Sequence, residues 1–299
     1  MTRIGFIGVG TMGLPMAKNL NKKGFAVMAY DTNADAVKAA AAAGMSAAAS
    51  ASEAVATADL VITMLPSSPH VESVYTGDGG VLAAARKGTL CVDMSTIDPA
   101  VSQRMASAAA ERGLRFADAP VSGGVPRATD GTLAIMVGAA PADFAEALPV
   151  LSAMGANVIL VGPVGSGEVA KLCNNLIAGV AAVAISEAFR IAEGFGVDPA
   201  VVTEVISKSS GHTWVMEHMH PVPGLVARAA STNSYEPGFM TDLMCKDLGL
   251  AVDAARALRV PVFAAPAAQQ LYRLASSHGL GRKDFTSVYT LLKPSAESA

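Results

Sequence analysis

Cysteine is scarce. Cys91, Cys173 and Cys245 are the only three in 299 residues, an odd number, widely spaced and set among apolar neighbours. They form neither a disulfide framework nor a metal-ligand spacing, and they read as buried free thiols. Charge is sparse too: 16% of residues are charged, the net charge is -3, and no block of Lys and Arg occurs. The electrostatic footprint of a nucleic-acid or anionic-membrane ligand is therefore missing. The longest apolar run, Leu176 to Ile185, falls far short of the roughly 20 residues of a spanning helix. The opening MTRIGFIGVG reaches glycines before an apolar signal core can form. These absences lead us to expect a soluble, cytoplasmic protein with a small-molecule partner, no nucleic acid, no membrane and no metal.

What is present is an apolar, alanine-rich chain, 52% hydrophobic with 5% aromatics, the composition of a folded and largely helical protein. Up to about residue 162, β-rich runs alternate with helical stretches: RIGFIG, FAVMAYD, DLVITMLP, TLCVDMS, LRFADAPV, LAIMVG and NVILVG. That alternation predicts an α/β fold, a Rossmann-type doubly wound and mainly parallel sheet, with the last two runs at its less regular end. Beyond Gly162 the strand signals stop. Helices are expected over Glu168 to about Gly194, Pro199 to Ser207, Met240 to Leu258, Val262 to Ser277 and, briefly, Phe285 to Leu292. We divide the chain into residues 1–163, a dinucleotide-binding domain, and residues 164–299, an all-α domain that begins with a long interdomain helix. That helix is apolar around its whole circumference, which predicts a buried central element.

Gly8, Gly10 and Gly13 fall in GVGTMG, with Thr11 and Met12 between the last two, after the strand RIGFI and before the helical LPMAKNL. In that context the first glycine permits a tight turn, the second lets backbone approach a pyrophosphate, and the third packs helix on strand. Asp31 ends the second strand 18 residues after Gly13, near the spacing of a ribose-binding acid. It would accept from both ribose hydroxyls and repel a 2′-phosphate, and Thr32 and Asn33 beside it offer no arginine, so NAD is preferred to NADP. The bland alternative is a tight turn with Asp31 capping the next helix. Leu65, Pro66 and Thr96 end two further strands at the sheet's carboxyl edge, where a dinucleotide crosses; an ordinary strand-ending turn would place them equally well.

Lys171, Asn174 and Asn175 in GSGEVAKLCNN share one helical face. An ammonium buried there is costly and exchanges protons more readily as its pKa falls. An alcohol oxidised by NAD must lose its hydroxyl proton as hydride leaves carbon, which is general-base work suited to Lys171, with the asparagines orienting lysine and substrate. The competing reading has Lys171 reach solvent from the first turn of the helix, with the asparagines as caps.

Four blocks, FIGVGTMGLPMAKNL at residues 6–20, DAPVSGG at 118–124, GSGEVAKLCNN at 165–175 and KDLGLA at 246–251, carry a resemblance to the β-hydroxyacid dehydrogenases over essentially the full length. The resemblance implies that Lys171 is the catalytic acid/base and that Asn175 binds substrate. It also implies that Ser122, Gly123 and Gly124 receive the substrate carboxylate and that Lys246, with Asp247 beside it, lies near the nicotinamide. Leu65, Pro66 and Thr96 are implied to line the NAD site. Residues 209–225, SSGHTWVMEHMHPVPGL, look like the branch of that family acting on 3-hydroxyisobutyrate, with Trp214 and Phe239 as an apolar wall for a methyl group. His212, Glu217, His218 and His220 depart from the branch pattern and are read as loop residues. The expected activity is NAD-dependent oxidation of 3-hydroxyisobutyrate to methylmalonate semialdehyde by a homodimer or homotetramer. The alternatives are tartronate semialdehyde reduction and, in another class, an NAD-binding interaction protein without catalysis.

Overall fold

In the computed structural model, residues 2–236 and 238–293 are described, and the chain divides into two units, Met1–Lys171 and Leu172–Ala299.

The seven runs of the first unit all form strands, and two two-residue strands join them. The nine are β1 (Arg3–Ile7), β2 (Ala26–Tyr30), β3 (Ser46–Ala47), β4 (Leu60–Thr63), β5 (Leu90–Asp93), β6 (Arg115–Asp118), β7 (Val121–Ser122), β8 (Leu133–Gly138) and β9 (Gly155–Gly162). The first six lie parallel in the order β3-β2-β1-β4-β5-β6, so the strand order reverses between β1 and β4. The far end is irregular as expected. β8 runs antiparallel to β6 and β7 and parallel to β9, with two register shifts in that last pairing.

Side-chain alternation feeds two cores. Ile4, Phe6, Leu60, Ile62, Leu90 and Val92 enter one, and Ile7, Val61, Cys91 and Phe116 enter the other. A sheet with helices on both faces needs apolar side chains at odd and even positions alike, which is why these strands read as continuous hydrophobic runs.

The second unit is helical. Pro199–Ser207, Thr241–Ala257, Ala264–Ala275 and a 3₁₀ segment Phe285–Leu292 pack with the later turns of the long helix Ser166–Gly194. Ala182, Phe189, Leu248, Tyr272 and Phe285 form its buried centre. Gly179 permits a close approach there, since a Cβ on it would lie 2.8 Å from Met244 Sδ. The helix Ala264–Ala275 stops in a π-turn where Gly279 takes φ +83°, a conformation that costs glycine little.

Two expectations are corrected. The long helix is not buried all round: Ile177 and Ile191 are 67% and 63% exposed, so part of its apolar circumference faces outward. By length and composition the helix could cross a membrane, a point that the ten-residue apolar run in the sequence understated. Of the three thiols only Cys91 is buried; Cys173 is exposed and Cys245 half-buried, because a helix turns successive positions to different sides whatever their immediate neighbours.

Candidate active site

β1, β2, β4 and β5 end level with one another. Ile7 is in register with both Tyr30 and Thr63, and Thr63 with Asp93, so Gly8, Asp31, Met64 and Met94 follow at one height along the carboxyl edge. The order reversal between β1 and β4 opens that edge beside Gly8, the place where α/β sheets bind dinucleotides.

The three glycines have different surroundings there. Gly8 takes φ +93°, and a Cβ on it would lie 2.2 Å from Met64 O. A Cβ on Gly13 would lie 1.8 Å from Gly8 O, so helix Gly13–Lys22 can start against the loop only without one. A Cβ on Gly10 would meet no other residue within 4 Å beyond its chain neighbours, and Thr11 beside it is exposed while Met12 is half-buried. Two glycines thus serve the fold, and the third leaves an open cradle at a helix N-terminus whose first turn holds no acidic residue. That is the donor arrangement a pyrophosphate requires.

Asp31 does not cap the next helix. Asn33 does, accepting from Asp35 N at 2.9 Å, while Asp31 Oδ1 accepts from Asn33 N at 2.8 Å and leaves Oδ2 at the sheet edge. The residues therefore fit NAD: an open glycine, an unneutralised helix start and a carboxylate at the end of β2. Leu65 and Thr96 are half-buried and Pro66 exposed along the same edge.

A buried carboxylate that our sequence reading passed over underlies these loops. Asp93 Oδ1 accepts from Thr63 Oγ1 and Ser95 Oγ, both at 2.6 Å, and Ser95 Oγ accepts from Leu65 N at 2.8 Å. Burial pushes the Asp93 carboxyl up to about 6, against the pull of those hydroxyls. The signal was an acid ending an otherwise apolar strand, in TLCVDMS.

Ser122 is half-buried in β7, and Gly123 and Gly124 take φ +134° and +64° where the helix Gly124–Asp130 begins. A side chain on Gly123 would be strained and would meet Arg127 Cδ at 2.5 Å, so this turn depends on glycine.

In the long helix Lys171 is 6% and Asn175 5% exposed, which removes the reading of Lys171 as a solvent-seeking side chain. Asn174 is exposed and donates to Asn175 Oδ1 at 3.1 Å. Asn175 in turn donates Nδ2–H to Asp247 Oδ2 at 2.6 Å, and Asp247 Oδ1 pairs with Lys246 Nζ at 3.1 Å. Asp247 is 2% exposed, so its carboxylate serves these two partners and orients Asn175. The amide keeps a second Nδ2 hydrogen for a ligand.

Trp214 is 52% exposed and stacks on His218, ring centroids 4.6 Å apart. Phe239 is half-buried, its amide held by Asp284 Oδ2 at 3.0 Å. His212 and His218 lie on the surface beside Glu217, but His220 is no loop-surface residue: it is fully buried, its Nδ1 accepting from Val222 N at 3.1 Å. Burial pulls its pKa down to about 4, so it is a neutral core group.

Residues 3–162 match the family model described as the NAD binding domain of 6-phosphogluconate dehydrogenase. Residues 165–292 match one described as NAD-binding of NADP-dependent 3-hydroxyisobutyrate dehydrogenase. The mitochondrial 3-hydroxyisobutyrate dehydrogenase of Mus musculus is 43% identical, over 98% of this chain and 87% of its own length. The NAD-dependent L-serine dehydrogenase of Pseudomonas aeruginosa is also 43% identical, over 98% and 99%. The solved structure of Mycobacterium tuberculosis 3-hydroxyisobutyrate dehydrogenase with L-serine superposes with a TM-score of 0.94 at 41% identity, covering 98% of this chain and all of that one. The chain is a member of the β-hydroxyacid dehydrogenase family to which the 3-hydroxyisobutyrate dehydrogenases belong.

Proposed function

We propose that the protein oxidises 3-hydroxyisobutyrate to methylmalonate semialdehyde with NAD, as valine breakdown requires. The observation that carries this reading is a buried lysine, Lys171, one helical turn from a buried asparagine already fixed by a carboxylate. NAD, when bound along the edge from Gly10 to Asp31 and Thr96, supplies the hydride acceptor. Lys171 takes the hydroxyl proton in oxidation and returns it in reduction. Asn175, held by Asp247, orients the reacting alcohol through its remaining N–H. Ser122 and the amides of Gly123 and Gly124 receive the carboxylate, while Trp214 and Phe239 offer apolar surface to the substrate's methyl group.

A second reading, oxidation of L-serine, is favoured by the equally similar Pseudomonas relative and by the L-serine that accompanies the mycobacterial enzyme in its solved structure. L-Serine carries a charged ammonium where 3-hydroxyisobutyrate carries a methyl, so the two acids ask opposite things of the pocket.

We read the chain as a homodimer or homotetramer, supported by the exposed Ile177 and Ile191 on one face of the long helix. A cytoplasmic, reducing setting suits its three free thiols.

Lys171→Ala tests the mechanism. It is expected to bind NADH within about two-fold of wild type and to lose about 10²- to 10⁴-fold in kcat. Near-normal turnover would remove Lys171 from the reaction.

A further inference from the structure

Lys171 sits in the first turns of a helix whose start is held by two buried carboxylates, Asp118 and Glu168. Asp118, fully buried at the end of β6, accepts from Gly165 N at 2.6 Å through Oδ1 and from Glu168 N at 2.9 Å through Oδ2. These are amides that a helix start leaves without an intrahelical acceptor. A side chain at the cap position ordinarily serves them. Here the acceptor comes from 47 and 50 residues earlier in the chain, so the same bonds that cap the helix also fasten it to the sheet.

The carboxylate has little room to move. A Cβ on Gly138 would lie 2.3 Å from Asp118 Oδ1, and one on Gly167 2.8 Å from Oδ2, so two backbones close on it. Glu168, also fully buried, accepts from Ile97 N at 3.2 Å through Oε2, and Ile97 follows Thr96 of the cofactor edge. Lys171 is one turn beyond Glu168. The start of the lysine's helix is thus tied both to the end of β6 and to the loop after β5.

Burying carboxylates is expensive, and burial raises the pKa of Asp118 against the pull of its amide donors. A neighbouring serine or asparagine would cap the helix at less cost. We propose that Asp118 is a positioning residue for Lys171, fixing the rotation and height of the helix start so that the lysine Nζ meets the alcohol beside the cofactor edge. This rests on the reading of Lys171 as the acid/base. Each residue of slippage would swing a helical side chain by about 100°, and displacements near 1 Å cost about 10²-fold in rate.

Asp118→Asn presents an NH₂ group to one of the two amide donors and so breaks half of the clamp. Assayed on the full chain with NAD and the best hydroxyacid of a panel, it is expected to lower kcat per folded molecule by about 10- to 100-fold. The KM for NAD should stay within about two-fold, and the primary deuterium isotope effect with C3-deuterated substrate should rise as the chemical step becomes slower. A variant that melts earlier yet keeps kcat and isotope effect per folded molecule would overturn the proposal, since that is all a structural cap would do. If the variant does not accumulate, amide exchange in the wild type decides: Gly165 and Glu168 amides protected like the helix interior support the clamp, and unprotected rates overturn it. Lys171→Ala is run alongside. Turnover in that variant overturns the lysine reading and the proposal together, whereas an inactive Lys171→Ala with a fully active Asp118→Asn overturns the proposal alone.

Discussion

Alanine at Gly13 and alanine at Gly10 should fail in opposite ways. At Gly13 the new Cβ would lie 1.8 Å from Gly8 O, far inside any contact distance, and a tight 3.1 Å from a Phe6 ring carbon, so the glycine loop or the helix start must shift. Over-packing of this kind costs about 1–3 kcal/mol, or roughly 2–12 °C in melting temperature for a chain of this size. A Cβ at Gly10 would meet no atom within 4 Å beyond its chain neighbours, and the residue is outside the left-handed region. Alanine there restricts the unfolded chain and should leave melting unchanged or raise stability by up to about 1 kcal/mol. The space it fills is where the pyrophosphate approaches, so its NADH dissociation constant should rise about 10-fold or more, which corresponds to about 1.4 kcal/mol of lost contact. Scanning calorimetry and NADH fluorescence titration on both variants separate the two effects. Gly10→Ala with an unchanged dissociation constant would refute the placement of the phosphates, and Gly13→Ala melting like wild type would refute the packing argument.

Two further outcomes follow from the carboxylates of the cofactor edge. Asp93 is raised from an ordinary carboxylate value to about 6, so the folded protein holds that proton more tightly than the unfolded chain does. Its favourable share of stability is complete below about pH 4 and fades as pH rises through 6, a change of about 3 kcal/mol; urea midpoints from pH 4 to 7 should fall accordingly, and in Asp93→Asn that component should vanish. Asp31→Ala should raise the KM for NAD and narrow the preference for NAD over NADP, read from kcat/KM with each cofactor. An unaltered preference would remove Asp31 from ribose recognition.

The parts of this fold that a local pattern encodes were legible in the sequence. Seven strands and the helix Pro199–Ser207 follow from hydrophobic runs and from the Asp198 cap with Pro199 behind it. β3 and β7 were not legible, because two residues carry no periodicity and exist only through pairing with β2 and β8. The glycine loop could be read because its three glycines have fixed spacing between a strand and a helix. Asp118 lies within DAPVSGG, yet its partners are 47 and 50 residues away, and no local signal reports a cap supplied by the sheet. Asp247 was read as a cofactor neighbour; its bond to Asn175 spans 72 residues and only folding reveals it.

The most direct test of the functional account is steady-state kcat/KM with NAD for 3-hydroxyisobutyrate, L-serine and glycerate under one set of conditions. 3-Hydroxyisobutyrate is expected to be preferred by at least about 10-fold, the discrimination a methyl-sized apolar wall can supply. A preference for L-serine, or NADH binding without turnover of any of the three, would contradict it.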